Sequence, residues 1–443
     1  MRPNSKLIRA TLTGALGGLL YGFDTVVISG IIDSVAKLYS LSPQSIGLTV
    51  AASPVGNILG CFVAGIVGQR FGTRAALRVA AALYLCASLA AACSIGWPML
   101  LAARFAGGFA IGACSVLGPV YITELSPAQW RGRLVGSFQI NIVGGILIGL
   151  ISNYLVRLAN LGALEWHVML GVAAVPTLIF LVLLFGIPLS PRFSASRGRI
   201  DDALAVLSLV GAADPKAELA GIRVALESEH ATVHEPVFQW KYRYPLFLAI
   251  TIGAFNQLTG INAVFSYAHT IFTAAGFSQL SSDSQGIALC VTNLLFTLVG
   301  MTLIDKFGRK SLLLVGAAGT AACLAGVAWI FNTNSHQSSL LVLLVAFIAF
   351  FAVSQGMVVF VYIGEVFSNA VRSKGQGVGN ASLSALNTTI LFTFPILAHY
   401  FNQGTPFAFF AVATVVQLIV VAMFFPETKG QTLEELQRKL MRA

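Results

Sequence analysis

Residues 7–31 read LIRATLTGALGGLLYGFDTVVISGI, an apolar run long enough to cross a bilayer that holds one carboxylate, Asp24. A spanning helix needs about 20 mostly apolar residues. A charge at the membrane centre costs at least roughly 2.5–3.5 kcal/mol on insertion scales. A chain that keeps Asp24 there must give it a partner, a use, or both. The chain also places one basic residue, Arg104, deep inside a later apolar run.

Twelve runs of this kind follow one another, from Leu7–Ile31 to Pro406–Phe425. The seventh is Pro245–Ala275 and the tenth Leu340–Ile363. The 443 residues are 56% hydrophobic and only 10% charged, against about 25% charged in soluble domains. The expected class is therefore an all-α integral membrane protein of twelve transmembrane helices. The first run is too long for the apolar core of a cleavable signal and contains an acid. With the N-terminus placed in the cytoplasm, 24 of the 27 Lys and Arg residues fall on cytoplasmic segments. Lys37 and Arg157 lie outside, and Arg104 lies within a span. That asymmetry predicts both termini inside. It also accounts for the net charge of +10 without a nucleic-acid partner.

The chain repeats itself. Gln69-Arg70-Phe71-Gly72-Thr73-Arg74 follows the second run, and Asp305-Lys306-Phe307-Gly308-Arg309-Lys310 follows the eighth. Thr123-Glu124 with Arg131-Gly132-Arg133 follows the fourth, and Gly364-Glu365 with Arg372-Ser373-Lys374 follows the tenth. Two six-helix bundles in the same orientation are expected, residues 1–187 and 245–425, with a midplane substrate site between them. Residues 188–244 read as a cytoplasmic linker with short amphipathic helices, and 426–443 as a cytoplasmic tail. About 55 linker residues are too few for a separate catalytic domain.

These motifs resemble those of the sugar porter family of the major facilitator superfamily. Gly17-Gly18-Leu19-Leu20-Tyr21-Gly22-Phe23-Asp24-Thr25 is similar to the family's first span. Pro119-Val120-Tyr121-Ile122-Thr123-Glu124, Arg131-Gly132-Arg133-Leu134 and Gln139 match its fourth and fifth. Gln257-Leu258-Thr259-Gly260-Ile261-Asn262 matches its seventh, and Pro426-Glu427-Thr428-Lys429-Gly430-Gln431-Thr432 its ending. The resemblance implies a proton-coupled symporter of a monosaccharide or related polyol, working by alternating access in a cell inner membrane, and taken as a monomer. Within transport, a uniporter or a carrier of a sugar acid or cyclitol stays open. Outside it stands a sugar receptor, though the short tail argues against one.

The departures are specific. Gln69 stands where the family usually has Asp, Leu189 where it has Glu, and Asn256 where it has Gln. His269 stands where it often has Pro. The tenth span has Gly356-Met357-Val358-Val359-Phe360 for Gly-Pro-x-x-Trp, and Leu383-Ser384 stands where a pentose symporter of the family has Gln-Trp. Without proline the tenth helix is expected to be less broken, and without the tryptophans the sugar's C–H face loses stacking partners.

The resemblance assigns roles residue by residue. Asp24 and Arg104 become a proton-coupling pair; independently, Arg104 apposed in low dielectric favours ionised Asp24, and protonation frees the arginine. Gln139, Gln257, Asn262, Asn293 and Asn387 match substrate-contact positions. Amides suit sugar hydroxyls because they donate and accept without charge, although amides in spans also bond between helices. Asn256, Tyr21, Phe360 and Gly356 complete the candidate wall. Glu124, Arg131, Asp305, Arg309, Glu365 and Arg372 are read as a latch closing the cytoplasmic side, with membrane-edge topology charges as the plainer reading. No catalytic constellation, cofactor motif or metal site is expected. His230 and His234 lack a third ligand, and the six cysteines show no C-x-x-C spacing. His269 is either a pore-facing titratable group or a packing residue.

Overall fold

The structure is a computed structural model describing residues 4–127, 130–212, 214–231, 237–367 and 371–429. Among them there are helices and turns only, with no strand. In chain order the α-helices are α1 Ser5–Leu38, α2 Pro43–Phe71, α3 Thr73–Ala92, α4 Trp97–Leu125, α5 Arg131–Leu158, α6 Glu165–Gly171 and α7 Ala174–Leu183. Then come α8 Pro191–Ser196, α9 Ile200–Leu209, α10 Pro215–Ala231, α11 Arg243–Leu258, α12 Ile261–Ser266 and α13 Ala268–Ala274. The last are α14 Gln279–Phe307, α15 Arg309–Thr333, α16 Leu340–Val353, α17 Gln355–Glu365, α18 Arg372–Tyr400 and α19 Thr405–Phe424. Eleven helical stretches among the described residues are long and apolar enough to cross a membrane, and Gln337–Val353 is a shorter apolar helix. The protein is a multi-pass, all-helical membrane protein.

Two compact units emerge from the contacts: Met1–Ile31 with Ala52–Val233, and Ile32–Ala51 with His234–Ala443. In the first, α3 packs along α4 and against α6 and α7. The glycines of α1 permit a close approach to α5. A Cβ at Gly22 would sit 1.9 Å from the Ile142 carbonyl oxygen, and one at Gly145 only 2.0 Å from that of Leu19. Tight backbone contact of this kind is the usual work of small residues in membrane helices. Helices α8–α10 carry their own small core of Ala203, Leu207 and Leu219. Ser190 starts α8 by accepting a bond from Phe193 N at 3.2 Å, with Pro191 at the first helical position, the favoured chemistry for a helix start.

In the second unit α15 packs on α19 and α16, and α11 on α18. The seventh run is broken. Gly260 separates α11 from α12 with φ 78°, a left-handed conformation open to glycine at little cost.

The tenth run is also broken, which corrects the expectation drawn from its missing proline. The helix stops at Val353 and restarts at Gln355. Ser354 (φ −108°, ψ −89°) makes the interruption. Its hydroxyl donates to the Phe350 carbonyl at 2.6 Å and its N–H to that of Phe351 at 3.2 Å. Serine that bonds back to the preceding turn competes with the helical ladder, and here the hydroxyl occupies the Phe350 carbonyl that the displaced Ser354 N–H no longer bonds.

Candidate functional site

Four helices of the first unit converge on Asp24. Arg104 Nη1 on α4 donates to Asp24 Oδ1 at 2.7 Å, and the side chains are only 4% and 12% exposed. Ser53 Oγ on α2 donates to Oδ2 at 2.5 Å, and Tyr84 OH on α3 donates to Oδ1 at 3.4 Å. A buried carboxylate is tolerable only when paired and hydrogen-bonded, and here one cation and two hydroxyls meet that need. The site opens on a cavity of about 20 Å³ whose lining includes Asp24, Tyr84, Ser88, Arg104 and Leu170, room for roughly one water. Arg104 Nε is buried there without a hydrogen-bond partner.

Of the other first-unit candidates, Tyr21 is half-buried one turn before Asp24, and Gln139 is exposed on α5. Neither joins the Asp24 cluster.

In the second unit the helix break at Gly260 gathers the amides. Asn262 Nδ2 donates to Gln257 Oε1 at 2.9 Å and to Asn387 Oδ1 at 3.0 Å. Gln257 Nε2 donates to Asn256 Oδ1 at 2.9 Å. Asn256 Nδ2 reaches the Gln355 carbonyl at 3.4 Å, just beyond the break at Ser354. Four predicted residues thus form one connected network on α11, α12 and α18. A network of neutral donors and acceptors can exchange internal bonds for hydroxyls with little change in bond count. Asn293 and Gly356 are half-buried and outside this network. The side chain of Phe360 lies outside the described residues.

Of the latch candidates, Arg309 Nη2 bonds Glu365 Oε1 at 3.0 Å, and Thr428 Oγ1 donates to Glu365 Oε2 at 2.6 Å. Glu124 accepts from Thr73 Oγ1 at 3.0 Å within its own unit. The side chains of Arg131, Asp305 and Arg372, like those of His230 and His234, lie outside the described residues.

Several residues escaped the sequence reading. Ser53 and Tyr84 have ordinary identities, and only three-dimensional convergence marks them. Gln355 and Gln417, joined Nε2 to Oε1 at 3.0 Å and almost fully buried, were detectable as amides in apolar runs. Glu427 accepts the backbone N–H groups of Arg309 (2.8 Å), Lys310, Thr428 and Lys429 (each 3.0 Å). Partial burial pushes its carboxyl up, but the four N–H bonds outweigh that and hold it below the ordinary carboxylate range.

Broken helices, buried amides and an intramembrane acid–base pair define a solute carrier rather than a pore or an enzyme. The model of the "Sugar (and other) transporter" family matches residues 10–440, and the chain belongs to that family. It is 34% identical to the arabinose-proton symporter of Bacillus subtilis over 98% of this chain and 94% of that one. It is 31% identical to the D-xylose-proton symporter of Escherichia coli K12, over 98% and 96% respectively. The fold is similar to the inward open conformation of the xylose transporter XylE from E. coli, with TM-score 0.87 and 30% identity over 98% of this chain and 99% of that one.

Proposed function

We propose that the protein couples proton entry to uptake of a monosaccharide or related polyol by alternating access, in a cell inner membrane with both termini cytoplasmic. The observation that carries this reading is the buried Asp24–Arg104 pair, at 2.7 Å beside a water-sized cavity. Ionised Asp24 holds Arg104. Protonation removes the negative charge, weakens the pair and biases the protein toward the conformation in which the pair is not made. The Gln257–Asn262–Asn387 network, with Asn256, is the substrate-recognition surface on the second unit. Gln139, Asn293, Tyr21, Gly356 and Phe360 are further wall residues. Glu124, Arg131, Asp305, Arg309, Glu365 and Arg372 form the cytoplasmic latch. The arabinose and xylose symporters named above support a neutral sugar and a proton as the two cargoes, and the protein works as a monomer.

The test is uptake into proteoliposomes of labelled pentoses, hexoses, inositol and sugar acids, with and without an inward proton gradient. Gradient-driven accumulation of one neutral compound supports the reading. Equilibration without accumulation makes the protein a uniporter and Asp24–Arg104 a structural pair.

A further inference from the structure

A second acid–base cluster lies in the second unit, at the end of α1 remote from the N-terminus. His269 on α13 is 2% exposed. Its Nδ1 lies 2.8 Å from Asp283 Oδ1 on α14, and its Nε2 lies 3.9 Å from Asp33 Oδ2 on α1. Asp283 is 5% exposed, whereas the Asp33 side chain is 33% exposed. Thr270 Oγ1 donates to the other Asp33 oxygen at 2.9 Å. These two carboxylates are the charged groups in contact with the ring. Helix α12, packed beside α13, brings no titratable residue, and Lys37, one turn beyond Asp33, is exposed.

Neither neutral tautomer suits this arrangement. With the proton on Nδ1, the ring bonds Asp283 but turns a lone pair toward Asp33. With it on Nε2, the lone pair meets Asp283 at 2.8 Å. Only the doubly protonated ring turns an N–H toward both carboxylates, with a hydrogen bond to Asp283 and a longer ionic contact to Asp33. A proton on the ring makes its contacts with both carboxylates attractive. Imidazole is also the side chain whose charge ordinarily changes between pH 5 and 8.

The cluster lies within the second unit and links its segment Ile32–Ala51 to α13 and α14. The segment is also tied by the Thr270–Asp33 bond and by Gln44 Nε2 to Tyr400 OH at 3.0 Å, and Gly47 packs against the Phe392 carbonyl. In each of these the partner of the segment is neutral, whereas His269 is a partner whose own charge a proton changes. Asp33 and Asp24 share α1, nine residues apart, or about 13 Å along its axis.

We propose that His269 is a second proton-binding group of this carrier, and that its proton clasps the Ile32–Ala51 segment, through Asp33, onto α13 and α14. Acid holds the end of α1 and alkali releases it. Proton binding and segment docking are then reciprocally linked. A tenfold difference in proton affinity between docked and released forms moves the population ratio by up to about tenfold.

The experiment uses the full chain in lipid nanodiscs, with its native cysteines replaced and spin labels at Lys37→Cys and Ser284→Cys, both exposed sites within the second unit. Distance distributions are recorded from pH 5 to pH 8. The expected result is a short distance at pH 5 giving way to a longer one at pH 8. His269→Gln and Asp33→Asn should each reduce that response to less than about twofold. Asp33→Asn, at the more exposed position, keeps the test decisive should the buried histidine variant fold poorly. A distribution constant across the range, or an unaltered pH response in either variant, overturns the proposal. Proton-driven uptake by Asp24→Asn is measured as a separate readout, so a failure of Asp24 coupling is distinguishable from a failure of this clasp, which is read from the distances alone.

Discussion

Replacing Asp24 by Asn tests the centre of the argument. The carboxylate is bonded to Arg104 at 2.7 Å, Ser53 at 2.5 Å and Tyr84 at 3.4 Å, with both ionic side chains nearly buried. Asparagine keeps the shape and an acceptor oxygen but leaves the guanidinium as an uncompensated buried charge. Breaking one side of a buried ion pair typically costs about 3–5 kcal/mol, and Arg104→Met should cost a similar amount by stranding the acid. The double variant removes both charges, so its loss should be well below the sum of the two singles. The assay is a double-mutant cycle on thermal unfolding in detergent, paired with uptake and exchange in liposomes. Asp24→Asn should equilibrate and exchange substrate yet fail to concentrate it against a gradient, because no proton changes the charge facing Arg104. Single variants costing less than about 1 kcal/mol, strict additivity in the cycle, or undiminished uphill uptake by Asp24→Asn would refute the reasoning.

Asn262→Ala deletes both amide bonds that join α12 to α11 and α18. It should weaken substrate binding by about 1–3 kcal/mol, read as a raised Kd by titration calorimetry. Glu427→Gln should lower stability by about 0.5–2 kcal/mol, the usual range for a lost helix cap. Because the Glu427 carboxyl is held below its ordinary value, its contribution is complete above about pH 4.5 and disappears as pH falls through the folded-state value. The variant's acid-unfolding limb should therefore be flatter, as followed by circular dichroism. Gly316→Ala should destabilise markedly, since its Cβ would fall 1.8 Å from Ser354 Oγ. Ser354→Ala should not rescue it, because Ser354 Cβ is itself 2.2 Å away; the melting temperatures of the two variants and their double decide this.

The spans were legible because a bilayer imposes one demand, about 20 apolar residues, and this chain meets it with few charges. Asp24 and Arg104 stood out for the same reason. The amide network was legible in membership, since Gln257, Asn262 and Asn387 are polar residues in apolar runs. Its connectivity was not, because that depends on Gly260 turning the chain between α11 and α12. The break in the tenth run was misjudged because proline is the visible signal, whereas the non-helical backbone of Ser354 shows only in the folded chain. Ser53 and Tyr84 carry no mark of function until α2 and α3 bring them to Asp24.

The internal repeat shows how equal frames acquire unequal chemistry. Gly72 and Gly308 both take φ near 87° to start α3 and α15. Tyr121 and Tyr362, equivalent in the repeat, each donate to a proline carbonyl, Pro188 at 2.9 Å and Pro426 at 3.0 Å. One residue later the halves diverge. Glu427 receives the N–H groups of Arg309 and Lys310 and seats its carboxylate against Gly308, where a Cβ would lie 2.6 Å from Oε2. The matching position in the first half is Leu189, which carries no charge, and Gly72 is covered instead by the Phe193 ring, 2.9 Å from a built Cβ. The α15 turn is thus fastened by a carboxylate at a helix N-terminus, favoured by the dipole and lost in acid. The α3 turn is covered by the Phe193 ring, and its one carboxylate contact among those described, Glu124, meets the Thr73 hydroxyl and not the backbone N–H groups. A single departure from the family's Pro-Glu-Ser-Pro-Arg pattern therefore predicts that acid loosens the α15 turn before the α3 turn, measurable as faster amide exchange at Arg309 and Lys310 than at Thr73 and Arg74 once each is compared with its own rate at neutral pH.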